Sequence, residues 1–403
     1  MNSKTFQDKA RHYVKHLCRD IDERCIGSAG NRKATDFFAE TVKTFGFEVE
    51  TPRFKCFNWI DNGSELVVGH EPLTVFSGPY SEGCCIRAPL SGSSTVEELA
   101  KVEAEGRIVL LYGPIAKEQL MPKNFVFYNP EEHQRIIKLL ETRGFLAVLS
   151  ATSCNPEMSG GLSPFPLIED GDFILPSAYM TAEEGEKLLN YYIGRDILLR
   201  VRAERHPSHG YNVIARKEKR ADDKIVLMAH IDSKKGSPGA IDNATGIAIL
   251  LLVAEMLKNC NPETEIEIVA VNGEDYYSNP GEMLYLEENR GRFSRIMLGI
   301  NIDGVGYYRG KTAFSLYSCP DHIATLVRSN FKPANGFIEG EPWFQGDHGL
   351  FLHNQCPAIA VTSTEMTDLL KIAHTSQDNP EVVDYKKVVA TSWALFDFLK
   401  FLI

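Results

Sequence analysis

The stretch Ala229-His230-Ile231-Asp232-Ser233 ends one apolar run, Lys224 to Ala229, and Gly239-Ala240-Ile241-Asp242-Asn243-Ala244-Thr245-Gly246 opens a longer one. An apolar strand, a polar turn and an apolar helix in that order are the first unit of an α/β alternation. The pattern repeats downstream. Glu265 to Val271, Ile296 to Ile302 and Pro357 to Thr362 read as further buried strands, Ala244 to Lys258 as a helix against them, and Tyr385 to Leu402 as a closing helix. The expected fold is α/β, with a mixed, mostly parallel sheet flanked by helices. Open sheets of this kind bind ligands beyond the carboxyl ends of their strands.

Upstream, Lys4 to Cys18 has amphipathic spacing, Ser28 can cap a second helix reaching about Phe45, and Phe47 to Phe57 alternates like a strand. From about Asn58 the texture changes to short strands and Gly, Ser and Pro turns. Gly106 to Tyr112, Phe145 to Ser150 and Pro176 to Met180 read as strands there, Pro130 to Arg143 as a helix, and Thr181 as the cap of a helix from Ala182 to Tyr192. The expected organisation is one α/β domain built from residues 1–58 and 206–403, interrupted by a β-rich insertion over 59–205. A chain of 403 residues is too long for one ordinary core, so two domains are the starting expectation.

Composition narrows the function classes. Hydrophobic residues at 43% and charged residues at 24% describe a globular chain. A net charge of −11 without a basic patch excludes a nucleic-acid surface. The apolar run Ile247 to Leu257 is short for a bilayer and carries Glu255, so no membrane partner is expected. The start, Met1-Asn2-Ser3-Lys4-Thr5-Phe6, lacks the apolar core of an export signal, and nine scattered cysteines form no framework, so a cytoplasmic location is expected.

Five positions at the ends of apolar runs carry metal-ligand chemistry: His230, Asp242, Asp275, Asp303 and His374. Taken singly, each has a plainer reading. Asp242 can start a helix, Glu274-Asp275 can be a solvated turn, and His374 can be a structural histidine. Together, two imidazoles and three carboxylates at successive strand exits could hold a pair of Zn²⁺ ions, with Co²⁺ or Mn²⁺ as alternatives. Asp303 closes the strand Leu298 to Ile302, where an unpaired carboxylate would be costly to bury. Two residues carry catalytic expectations beside the ligands. Glu274 would be the base that takes a proton from the attacking water, and Asp232 would support His230 or a nearby backbone group. Gly239 and Gly246 would let backbone pass close to the metals.

These motifs closely resemble peptidase family M28, the zinc aminopeptidases, over about Met1 to Asn58 and Tyr211 to Ile403. The resemblance implies that Asp242 bridges two ions, with His230 and Asp303 completing one site and Asp275 and His374 the other. Glu274 matches the general base. Many members carry Glu-Glu where this chain has Glu274-Asp275. The middle region, about Trp59 to His206, resembles a protease-associated domain. Gly346-Asp347-His348-Gly349-Leu350-Phe351 resembles the family's Ser-Asp-His-x-x-Phe segment, with Asp347 and His348 structural or pocket-lining, and Trp343 and Phe344 could shape a substrate pocket.

The expected activity is hydrolysis of N-terminal residues from peptides at a two-metal site. Two alternatives stay open. One is a glutaminyl-cyclase-like transferase or a carboxypeptidase on the same scaffold, and the other is a non-catalytic binding protein.

Overall fold

Ile247 to Ala254 are apolar on every side of their helix, and each of these residues is at 0% exposure. A helix without a polar face belongs inside a fold. The helical run Ala240–Asn259 is 20 residues, long and apolar enough to cross a membrane, which corrects the shorter span read from Ile247 to Leu257. It is nevertheless a core helix, with 83% of its apolar window buried. The computed structural model describes residues 3–21, 23–69, 71–126, 129–152, 166–217, 223–276, 278–342 and 346–402. The chain forms two compact units.

The first unit comprises Met1–Cys56, His209–Asp275 and Asn279–Ile403. Its sheet has 8 strands. Four neighbours are mutually parallel: Glu265–Val271, Lys224–His230, Ile296–Ile302 and Ala358–Ser363. Val213–Lys217 and then Glu48–Glu50 extend one side antiparallel, while Thr312–Tyr317 and then Phe337–Glu339 close the other. The parallel strands are buried nearly throughout, as expected for strands covered on both faces. Helices Ser3–Lys15, Ala29–Lys43, Thr245–Met256 and Tyr385–Leu399 contribute to one core with them. Ser28 caps the second of these, its hydroxyl accepting from Asn31 N at 3.0 Å.

One buried carboxylate ties the antiparallel edge to the parallel strands. Glu267 is at 0% exposure and accepts hydrogen bonds from Arg216 Nε at 2.7 Å, Lys224 Nζ at 2.9 Å and the Tyr285 hydroxyl. Burial alone would raise its pKa, but the two cations outweigh that and hold it below the ordinary carboxylate value. Glu267→Gln keeps the shape and strands two cations, so it should cost about 3–5 kcal/mol in urea unfolding at neutral pH. A folded-state pKa below the unfolded one gives stability that is present at neutral pH and lost on acidification. The gap between wild type and variant should therefore narrow below the ordinary carboxylate value of 4.5.

The second unit comprises Phe57–Ser208 with residues Tyr276–Ser278. The chain leaves the first unit at Cys56/Phe57 and re-enters it at Ser208/His209, compared with expected bounds at 58 and 206, and both passages fall inside long strands. Those strands, Arg53–Val68 and Asp196–Tyr211, replace the short-strand texture read from Asn58 onward. Cys84–Ser93, Ile108–Tyr112, Ala147–Thr152 and Ser177–Thr181 pair in parallel beside them. Val109, Leu111 and Val148 face Ile136, Leu140 and Phe173 in a core belonging to this unit.

Candidate metal centre

Because Glu265–Val271, Lys224–His230 and Ile296–Ile302 are parallel neighbours, their carboxyl ends lie side by side. His230 is the last residue of its strand, Asp303 directly follows Ile302, and Asp275 comes shortly after Val271. Asp242 lies on the turn Ala240–Ala244 that leads into the buried helix, joined to Asn243 by a cis peptide bond. His374 sits on the loop before Pro380–Val382 with φ of 63°, in the left-handed region.

All five candidate ligands are brought together. Asp242 Oδ1 is 3.1 Å from His230 Nε2, and Asp242 Oδ2 is 3.0 Å from His374 Nε2. Asp303 Oδ1 stands 3.8 Å from His230 Nε2, and Asp275 Oδ1 stands 3.2 Å from His374 Nε2. Three trios result, His230–Asp242–Asp303, Asp242–Asp275–His374 and His230–Asp232–Asp275, and in each the donor atoms lie within 4.8 Å of one another. Asp242 belongs to the first two and gives one oxygen to each. Asp275, one methylene shorter than glutamate, still reaches His374.

The surrounding bonds explain this convergence. Asp232 is 1% exposed, and its oxygens accept from Gly273 N at 2.8 Å and Asp275 N at 3.0 Å. It stands 3.7 Å from His230 Nδ1. Its place is therefore that of a positioning residue, since its oxygens are engaged with backbone. Lys234 Nζ donates to Asp275 O at 2.8 Å, fixing the same turn. Asn243 Nδ2 donates to Ile302 O at 2.8 Å, tying the Asp242 turn to the Asp303 strand. A Cβ on Gly246 would meet Asn243 Oδ1 at 2.3 Å and Ile302 O at 2.6 Å. At Gly239 it would meet Asp242 O at 2.4 Å. These glycines serve close backbone packing around the site.

Three supporting residues escaped the sequence reading. Asp378 is at 0% exposure, and its carboxylate accepts from Ile241 N at 2.8 Å and Asp242 N at 3.1 Å, joining the Asp242 turn to the His374 segment. Burial first, then the charge of Asp242, pushes its pKa up to about 7. Arg24, 1% exposed, donates to Ile231 O at 2.9 Å, Pro238 O at 2.7 Å and Gly239 O at 2.8 Å, clamping the loop between the first two ligands. Glu282 is buried and accepts a hydrogen bond from Asn279 Nδ2, and Asp347 is buried as well. Burial raises Glu282 to about 7 and Asp347 well above its ordinary value. Asp347 and His348 are buried and lie outside all three trios. Trp343 and Phe344 lie outside the described residues.

The electrostatics favour added cations. Burial should lower the pKa of His374, yet the charge of Asp275 and hydrogen bonds to Asp242 and Asp275 raise it to about 10. His230 is likewise raised despite burial, by the neighbouring carboxylates of Asp232, Asp242 and Asp303. Burial raises Asp303, and it raises Glu274 with Asp275, Asp347 and Asp303 reinforcing it. Crowded carboxylates hold protons on their neighbours when no other positive charge neutralises them. Both nitrogens of the fully buried His230 also lack a well-directed hydrogen bond among the described residues. This donor set, nitrogen and oxygen with orphaned imidazole atoms, fits divalent metal ions of the zinc type.

An α/β sheet with candidate ligand trios at its strand exits is a scaffold suited to metal-dependent hydrolysis. The model of peptidase family M28 matches residues 212–399. Over that segment the chain resembles peptidase family M28. Aminopeptidase YwaD of Bacillus subtilis is 23% identical over 315 residues, covering 74% of this chain and 62% of YwaD, so the match leaves over a third of that relative's length unspanned. The structure of BSAP, a zinc aminopeptidase from Bacillus subtilis, superposes with a TM-score of 0.73 at 19% identity, covering 97% of this chain and 94% of BSAP. A glutaminyl cyclase from Porphyromonas gingivalis superposes with a TM-score of 0.55 at 15% identity, covering 98% of each chain. At such identities the two structural likenesses speak for the fold alone.

Proposed function

We propose that this chain is a metal-dependent aminopeptidase that removes N-terminal residues from peptides, with two zinc ions and Glu274 as general base. The observation that carries the reading is Asp242, whose two oxygens stand 3.1 Å and 3.0 Å from histidines of different trios. Two cations held close together repel, and a carboxylate shared between them offsets that repulsion. His230, Asp242 and Asp303 would hold one ion, and Asp242, Asp275 and His374 the other; Co²⁺ or Mn²⁺ also suit these donors. Ions bound there supply Lewis acidity, polarising the scissile carbonyl and acidifying water.

The chain's own residues do the rest. Glu274 is only partly exposed and lies among carboxylates that raise its pKa, which equips it to accept a proton from water and return it to the leaving amine. Asp275 and Asp303 add negative charge where a substrate's α-ammonium can be held. The second unit is assigned as a protease-associated-like insertion, supported by its own core and by its place between two segments of the α/β unit. A cytoplasmic setting is supported by eight described cysteines, all free.

Acetylating a peptide's N-terminus removes the charge that Asp275 and Asp303 would recognise. A charge-assisted contact is worth roughly 1.5–3 kcal/mol, so blocked peptides should be cleaved at least about tenfold more slowly than free ones. C-terminal amidation should have little effect. Equal cleavage of free and acetylated peptides would overturn the aminopeptidase reading, and sensitivity to the C-terminal block would favour a carboxypeptidase. The cyclase-like scaffold keeps one further outcome in view: ammonia release from N-terminal glutamine peptides without chain cleavage.

A further inference from the structure

Tyr307, Tyr308, Arg309 and Gly310 follow Asp303 out of the sheet, and their four carbonyl oxygens converge on one point. The ammonium of Lys387 occupies it. Its Nζ lies 2.6 Å from Tyr307 O, 3.2 Å from Tyr308 O, 2.9 Å from Arg309 O and 2.8 Å from Gly310 O. An ammonium has three N–H donors, so at least one of these carbonyls is held by charge–dipole attraction or shares a donor. A ring of carbonyl oxygens around a point cation is the way protein backbone binds alkali ions. Four successive carbonyl dipoles aimed at one spot repel each other unless positive charge sits between them.

Lys387 belongs to helix Tyr385–Leu399, which follows the segment begun at His374. Neutral bonds already align that segment with the exit of the Asp303 strand. Asp384 N donates to Gly306 O at 2.8 Å, Tyr308 N donates to Val382 O at 3.0 Å, and Tyr307 pairs with Val383 in an antiparallel bridge. Asp384 and Glu365 act on Lys387 through space, while its hydrogen bonds go to the carbonyls. The charged link therefore joins two stretches whose ligands, Asp303 and His374, belong to different trios.

We infer that Lys387 is a positioning residue, an internal cation whose capture by four carbonyls fixes the exit of the Asp303 strand against the His374 segment and so sets the spacing of the two halves of the metal centre. The inference rests on the reading of Asp303 and His374 as ligands. Lys387 touches neither, and its effect runs through the backbone of 304–310.

Two variants separate charge from volume. Lys387→Met keeps most of the side chain and removes the ammonium, and Lys387→Ala leaves room for a small cation. Zinc affinity would be measured by competition with a chromophoric chelator, and amide hydrogen exchange over 304–310 would be followed in metal-free protein. Lys387→Met should weaken the poorer zinc site about tenfold or more, the effect typical of a lost supporting contact, and speed exchange over 304–310. Lys387→Ala should show the same defects, and ethylammonium should reverse them where tetramethylammonium, which has no N–H, does not. Lys387→Met should gain nothing from either ion. Wild-type zinc affinities and exchange in Lys387→Met would overturn the inference, as would an alanine variant indifferent to ethylammonium. If the alanine variant does not fold, the methionine variant decides. A wild-type protein that fails to take two ions would instead count against the aminopeptidase reading, and the exchange comparison would still judge the role of the ammonium.

Discussion

Asp242→Ala is expected to empty both halves of the metal centre at once. The trios around His230–Asp303 and Asp275–His374 both contain this residue, and its oxygens stand 3.1 Å and 3.0 Å from His230 and His374. On the proposed two-ion reading, removing it would delete a donor from each ion and also the anion that screens one cation from the other. Bound zinc after dialysis should fall from two ions per chain to below one, and peptide cleavage by on the order of 10²–10³ or more, the range for losing a main electrostatic element of a site. His230→Ala should behave differently, because it belongs to one of the two bridged trios and should spare much of the second ion. Asp378→Asn, which leaves Asp242 present but loosens its turn, should weaken metal binding by roughly 10–100-fold. A dialysed Asp242→Ala protein that keeps two ions would sink the bridging assignment. Full activity in chelator-treated wild type would sink the metal dependence itself.

The candidate ligands were legible in the sequence because each stands where an apolar run stops. His230, Asp275 and Asp303 end or follow strands of nearly unbroken burial, and parallel pairing puts such ends together. The supporting residues were not legible, because their partners lie far along the chain. Asp378 works on Ile241 and Asp242, Arg24 on the loop from Ile231 to Gly239, and Lys387 on 307–310. An isolated Asp, Arg or Lys gives no sign of such a target. Local turn chemistry also misled. Asp61-Asn62-Gly63-Ser64 and Pro207-Ser208-His209-Gly210 carry strong turn signals, yet both lie within 16-residue strands. Sheet pairing overrode local preference there, as β structure commonly does.

Glu274→Gln should leave the metals in place and remove most of the turnover. Glutamine keeps the side chain's length and shape but cannot accept a proton from water, and losing a general base costs on the order of 10²–10⁴ in rate. Metal content should hold because Glu274 belongs to none of the trios, while Asp275 beside it belongs to two. The distinction between these neighbours is structural. The Asp275 backbone is gripped at its N–H by Asp232 and at its carbonyl by Lys234, which aims its carboxylate at His374. Burial and the charges of Asp275, Asp347 and Asp303 instead give Glu274 a raised pKa, the property a proton acceptor needs. Asp275→Ala should therefore lose metal and activity together, where Glu274→Gln loses activity alone. The split would be read from kcat and zinc content measured on the same preparations. If Glu274→Gln loses an ion in step with its activity, Glu274 is a ligand, and the proton must be taken by another group.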